Sequence, residues 1–285
     1  MTRLRIPAHL AELARNDNPA FLDWVSRLPD TIPELVDRLG VRVGEPYEPG
    51  GYCSWVAPAR NAAGEEVVLK VGWRHPESEH EADALRVWNG DGAVRVFASA
   101  TLGDSDVLLL ERCAPGTTLR SALPGAEQDV VVAGLLRRLW RTPPADHPFR
   151  PLWQMCDQWA AEAESAEIPD GVDRGLVREG IALLRSLPLA TDDSVLLCTD
   201  LHGANILAAR REPWLVIDPK PYLGDPAYDA VQHMLNREDR LAADPAGLAR
   251  RMADLLDVDA KRVVLWLFAR CVQQGLHEIA ARLAP

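Results

Sequence analysis

What most constrains the fold is a change of hydrophobic period part-way along the chain. From residue 41 the sequence VRVGEPYEPGGYCSWVAPARNAAGEEVVLKVG reads as strand, glycine turn, strand, turn, strand. Asn61 to Gly64 supplies a hairpin connection, and EEVVLKV is rich in β-branched residues. SEHEADALRVWNG then takes helical spacing, with Ala82, Leu85 and Trp88 on one face, and AVRVFASA and DVLLLERC are two further strands. Beyond CAPGTTL the period becomes helical through VVVAGLLRRLW, PLWQMCDQWAAEAESA, GLVREGIALLRSL, AYDAVQHMLN and one long run, ADLLDVDAKRVVLWLFARCVQQGLHEIAARLA. Only residues 195–218 interrupt the helices, with short strand-like stretches. Such a chain is α+β, a small lobe with an antiparallel sheet followed by a larger, mainly helical lobe. The Pro-Gly step within Arg112–Thr117 separates the two textures and predicts lobes at 1–112 and 113–285. The first forty residues add helical pieces broken by prolines. Phe21, Leu22, Val25 and Leu28 share one face, Ile32, Leu35, Val36 and Leu39 another, and Gly40 is the stop.

Composition narrows the class of function. With 285 residues, 47% of them hydrophobic and 26% charged, the chain is long enough for a substantial core. No segment reaches the roughly 18 uncharged apolar residues of a membrane helix. The N-terminal MTRLRIPAHLAELARND is charged throughout, unlike a secretory signal, so a cytoplasmic protein without a membrane partner is expected. Cys53, Cys113, Cys156, Cys198 and Cys271 are odd in number, widely spaced and without a CxxC pair, which argues against a zinc site or disulfide framework. A net charge of −11 argues against nucleic acid and is compatible with a cationic small molecule.

Chemistry concentrates in CTDLHGANIL and the residues after it. VLLCTD runs apolar into Asp200, where a buried strand emerges. Asn205 opens NILAA, RREP turns, and WLVID ends in Asp218, so Asn205 stands at the entry of a hairpin and Asp218 at its exit. Two carboxylates and a carboxamide converging at one edge suit Mg²⁺, a hard cation that takes few protein carboxylates and fills its other positions with phosphate and water. The remaining carboxylate is then available to deprotonate a nucleophile. A catalytic Asp, an Asn five residues later and a later metal-binding Asp is the arrangement of the protein-kinase phosphoryl-transfer site. Lys70, in a strand of Val and Leu, is the candidate phosphate cation. Glu81 is its candidate partner, preferred to Glu79 because Leu85 follows it at i+4. Gly50 and Gly51 make a candidate phosphate cover or an ordinary turn, and Glu111 to Cys113 offer main-chain groups to an adenine ring. Asp225 before Pro226 reads first as a helix cap, and the role of Asp229 is open.

Taken together, TDLHGANIL, PWLVIDPKPYLGDPAYDAVQHMLN, VVLKVGWRHPESEHEADALRVW and VLLLERCAPGTTL resemble the aminoglycoside phosphotransferase family, and within it the aminoglycoside/hydroxyurea resistance kinases. The resemblance covers nearly the whole chain. It implies a protein-kinase-like bilobal fold, ATP (with GTP not excluded) and Mg²⁺, and transfer of the γ-phosphoryl group to a small-molecule hydroxyl. Carried over by position, Asp200 is the base, Asn205 and Asp218 the metal ligands, Lys70 the phosphate-binding lysine and Glu81 its partner. Cys198 departs from the broader family, where many relatives have His two residues before the base. A cationic, streptomycin-like acceptor is expected over the helical lobe, with Asp157, Trp159 and Glu162 on one helix and His233 and Asn236 on another as contacts. The alternatives are a metabolic kinase of an amino alcohol or sugar, and a nucleotide-binding protein without catalysis. The state is monomer or homodimer.

Overall fold

A computed structural model describes residues 4–16, 18–191 and 193–285. The chain divides into two compact units, one of residues 1–90 and 94–116, the other of residues 91–93 and 117–285.

The first unit begins with helices α1 (Ala8–Asn16) and α2 (Pro19–Leu39). Asn18 caps α2 by accepting the Phe21 amide at 2.8 Å, and Gly40 ends it in the left-handed region, the Val41 amide reaching back to the Val36 carbonyl. The two helical pieces predicted here are one continuous helix, with Pro29 and Pro33 inside it. An interior proline costs about 3 kcal/mol. Burying one large apolar side chain contributes about 1.5–3 kcal/mol, and α2 buries six on one stripe: Phe21, Trp24, Val25, Leu28, Ile32 and Leu35. Packing therefore carries the helix through both prolines. The continuous period also corrects one position, since Leu22 faces outward at 44% exposure and Trp24 takes the buried place, its Nε1 donating to Ser105 Oγ at 2.8 Å.

The sheet has five strands, β1 (Arg42–Val43), β2 (Ser54–Arg60), β3 (Glu66–Trp73), β4 (Val96–Leu102) and β5 (Ser105–Glu111), antiparallel in the order β1-β2-β3-β5-β4. Asn61 to Gly64 does connect β2 to β3, with the Asn61 side chain accepting the Glu65 amide. Along β3 the burial alternates. Val67, Leu69 and Val71 enter the core formed with α2, while Lys70 lies on the other face. Helix α3 (Glu81–Trp88) buries Glu81, Ala84, Leu85 and Trp88, so its inner face is turned slightly from the one expected and Ala82 is only partly buried. Glu79 lies before the helix, in extended backbone.

The second unit holds ten helices among the described residues: α4 (Leu119–Ala122), α5 (Gly125–Leu139), α6 (Leu152–Ser165), α7 (Arg174–Ser186), α8 (Pro226–Asp229), α9 (Val231–Leu235), α10 (Glu238–Ala243), α11 (Pro245–Leu256), α12 (Ala260–Gln273) and α13 (His277–Ala281). Helix α12 is its axis: it packs on α6, α7, α8, α9, α11 and α13 and is buried along nearly its whole length. The long helical run expected at the C-terminus is α11, α12 and α13. Asp257 leaves α11 in the left-handed region, and Asp259 starts α12 by accepting the Lys261 amide at 2.9 Å. Four short strands complete the unit as two antiparallel pairs, β6 (Val195–Leu197) with β9 (Tyr222–Gly224) and β7 (Ile206–Ala208) with β8 (Trp214–Val216). Among the described residues no helix is long and apolar enough to cross a membrane.

Candidate active site

The segment carrying Asp200 is held from behind by a buried carboxylate. Asp229, at the end of α8 and fully buried, accepts the amides of Cys198 (3.0 Å) and Thr199 (2.6 Å) and the indole N–H of Trp140 (3.0 Å). Burial raises its pKa to about 6, against the downward pull of these three donors. Three N–H groups converging on two oxygens require the carboxylate form, which is the form present at neutral pH. With both amides tied down, Thr199 takes φ 51° and the Asp200 amide turns back on the Cys198 carbonyl at 2.7 Å. The chain reverses there and carries Asp200 out of the apolar strand β6. Cys198 itself is buried, and burial pushes its thiol well up, so it packs as a small apolar side chain.

Lys220 and His202 bring nitrogens near the Asp200 carboxylate. Lys220 Nζ lies 3.4 Å from Oδ2, and His202 Nε2 lies 3.9 Å from Oδ1. Burial, then the charge of Arg120, push His202 down to about 4, so it is neutral at pH 7. The turn Leu201–Ala204 rests on the first turn of the helical lobe: the Arg120 amide donates to the Gly203 carbonyl at 2.8 Å, and a Cβ on Gly203 would sit 3.2 Å from the Arg120 Cα.

Asn205 and Asp218 bracket the β7–β8 hairpin. The Ile217 amide donates to the Asn205 carbonyl at 2.9 Å, placing Asp218 one residue from the Asn205 backbone. Asn205 Nδ2 donates to the Asp200 carbonyl at 3.0 Å, which leaves its Oδ1 as the atom with acceptor capacity. Asp218 has φ 54°, a left-handed residue just past β8. Asp200, Asn205 and Asp218 thus belong to one hydrogen-bonded loop-and-hairpin unit. Among the described residues no group of three or more His, Cys, Asp or Glu side chains gathers as a metal site. Asn205 and Asp218 could offer a cation one carboxamide oxygen and one carboxylate, a hard and sparse set of donors that would suit Mg²⁺ and not zinc.

In the first unit Lys70 Nζ meets Glu81 Oε2 at 2.6 Å, with the two side chains only 12% and 8% exposed. The pairing unites the outer face of β3 with the first residue of α3. Gly50 and Gly51 lie in the loop before β2; a Cβ on Gly51 would run into the Ser54 side chain, so the chain closes tightly there. Glu111 ends β5 with its amide on the Arg95 carbonyl, and the Cys113 carbonyl lies under the turn at Gly116.

The expected acceptor contacts fall in several places. Asp157 is exposed and pairs with Arg185 at 3.1 Å, Glu162 accepts from Gln158, and Trp159 lies under the Arg270 guanidinium at 3.8 Å. His233 is fully buried, with Nε2 at 3.0 Å from Asp129. Asn236 is linked to the Asp200 loop: its Oδ1 accepts from Arg120 at 2.9 Å, the residue whose amide holds Gly203. Asp225 caps α8 by accepting the Ala227 amide and receives Arg262 and Trp266, a structural role in keeping with the Pro at N1.

Residues 42–279 match the sequence pattern of the aminoglycoside/hydroxyurea antibiotic resistance kinases. The chain belongs to that family. It is 34% identical to a streptomycin 6-kinase of Streptomyces griseus over 97% of this chain and 91% of the relative, and 34% identical to a hydroxyurea phosphotransferase of Kitasatospora aureofaciens over 97% and 81%. A choline kinase of Streptococcus pneumoniae shares the fold with a TM-score of 0.61 at 13% identity, covering 90% of this chain and 91% of that one. The kinase is therefore a phosphotransferase of α+β, protein-kinase-like fold, as the sequence predicts.

Sequence reasoning passed over Lys220 and Arg120 and left the role of Asp229 open. The sequence shows Lys220 only as a lone cation two residues past Asp218, with no sign of its place beside Asp200. Asp229 was visible as a carboxylate between Tyr228 and Ala230, where a helix turns inward.

Proposed function

We propose that this kinase transfers the γ-phosphoryl group of ATP to a hydroxyl of a cationic, streptomycin-like antibiotic and so confers resistance. The observation that carries the reading is the Asn205 bond to the Asp200 carbonyl within a hairpin that ends in Asp218. Asp200 accepts the proton of the acceptor hydroxyl. As that oxygen bonds to the γ-phosphorus, the bond to the β–γ bridging oxygen breaks and ADP leaves. Asn205 and Asp218 hold Mg²⁺, which when bound neutralises phosphate charge. Lys70, oriented by Glu81, binds nucleotide phosphate, Gly50 and Gly51 approach the phosphates by main chain, and Glu111 to Cys113 present backbone groups to the base. Asn236, tied through Arg120 to the Asp200 loop, belongs to the acceptor side. A chain of net charge −11 suits a cationic acceptor.

The test is ATP-dependent phosphorylation of a panel containing streptomycin, hydroxyurea, amino alcohols and sugars. Asp200→Ala and Asp218→Ala are each expected to abolish transfer while melting like the parent protein. Normal turnover by either variant refutes the assignment of roles, and preference for a metabolite refutes the antibiotic acceptor.

A further inference from the structure

The chain has 31 Lys and Arg residues, yet only Lys70, Lys220 and Lys261 are lysines. Lys261 is exposed in the first turn of α12, and Lys70 is paired with Glu81. Lys220 stands beside Asp200, in a protein that uses arginine almost everywhere else. An arginine presents a planar fork suited to carboxylates, whereas a lysine is a compact point charge with three rotatable donors that several oxygens can share.

Its backbone explains how it is held. The Lys220 amide donates to the Cys198 carbonyl at 3.0 Å, and its carbonyl accepts the Thr199 hydroxyl at 2.5 Å. Lys220 is thus fastened to the two residues before Asp200, while Asp218 in the left-handed region and Pro219 turn the chain between the hairpin exit and this anchor. The ammonium then projects to Asp200 Oδ2 at 3.4 Å, with the side chain one-third exposed. His202, which also lies near this carboxylate, is neutral, so it does not supply that positive charge.

We infer that Lys220 is a catalytic cation, whose ammonium bridges the Asp200 carboxylate and the oxygens of the transferring γ-phosphoryl group. This rests on the phosphotransferase reading above and assigns to that site a group the reading does not use. Lys220 stays protonated throughout: the acceptor's proton goes to Asp200, the phosphoryl group goes to the acceptor oxygen, and the ammonium neutralises charge on the group in flight.

The experiment compares wild type with Lys220→Met and Lys220→Arg, first by calorimetric binding of Mg²⁺–AMP-PNP and of Mg²⁺–ADP, then by turnover. The two backbone bonds survive either change, so both variants are expected to keep the parental melting temperature. A contact to the γ-phosphoryl group predicts that Lys220→Met weakens AMP-PNP binding about ten-fold or more, as expected for a hydrogen bond to a charged group, with ADP binding unchanged. The same variant should lower kcat by about a hundred-fold with the acceptor KM nearly constant, and Lys220→Arg should restore part of both losses. Equal loss for the two nucleotides, or no loss for either, overturns the role of Lys220 and leaves the kinase intact. Failure of wild type to bind either nucleotide overturns the kinase reading itself.

Discussion

Asp229 cannot be replaced by its own amide without loss. Its Oδ2 accepts from Cys198 and Trp140 and its Oδ1 from Thr199, so all of its buried partners are donors. An Asn supplies one oxygen and one NH₂, and the NH₂ must face an N–H wherever it is placed. Leaving a buried donor unsatisfied costs about 1–3 kcal/mol. Asp229→Asn is therefore expected to lower the melting temperature by several degrees and to reduce kcat, because the turn it braces carries Asp200. Unchanged stability in a thermal melt would show that the three donors find other acceptors. The same residues show what sequence conveys at this scale. Asp200, Asn205 and Asp218 could be grouped from the sequence because a four-residue loop and then two apolar strands at hairpin spacing separate them. Lys220 was not, because its place beside Asp200 depends on backbone bonds to Cys198 and Thr199 across a stretch of chain that has no period.

One carboxylate also joins four helices. Asp129 of α5, fully buried, receives His233 of α9 at 3.0 Å, both terminal nitrogens of Arg240 of α10 at 2.7 Å, and Arg251 of α11 at 2.8 Å. Burial alone would raise the Asp129 pKa, but His233, Arg240 and Arg251 together hold it well below the usual carboxylate range. A depressed folded pKa gives stability that is present above the unfolded value, near 4, and is lost as the pH falls below it. Breaking a buried ion pair costs about 3–5 kcal/mol; Arg240 and Arg251 are partly exposed and recover hydration, so Asp129→Ala is expected near the lower figure. Urea unfolding of wild type and variant should show this gap at pH 7 and a narrowing gap below about pH 4; a pH-independent gap would assign the loss to packing alone. This network explains why His233, placed by helical period among the acceptor contacts, is internal: period gives the face of a helix but not what covers it. Where local signals agree with packing, as in the β2–β3 hairpin, the Asp225 cap and the Gly40 stop, elements were legible from sequence. Where they conflict, packing decides, and α2 runs through Pro29 and Pro33.

For the whole chain, the order of textures after the N-terminal helices, strands and then helices, conveyed the fold class because sheet and helix bury apolar residues at different periods. Net charge is a property of the same scale and gives a test of the acceptor. At −11 the protein attracts a cation over distances set by the Debye length, about 10 Å at 0.1 M salt and about 3 Å at 1 M. Steering of this kind raises association rates by about ten-fold or more at low salt and leaves the chemical step alone. If the acceptor is cationic, kcat/KM for streptomycin should fall about ten-fold as the ionic strength rises through this range, while kcat stays level. A neutral acceptor supplies the control, hydroxyurea where the kinase turns it over: its kcat/KM should not show that fall, and since ATP is common to both assays, any effect of salt on the nucleotide cancels in the comparison. Parallel salt dependence for the two acceptors would mean that the acidity of this kinase serves its solubility and has no part in choosing what it phosphorylates.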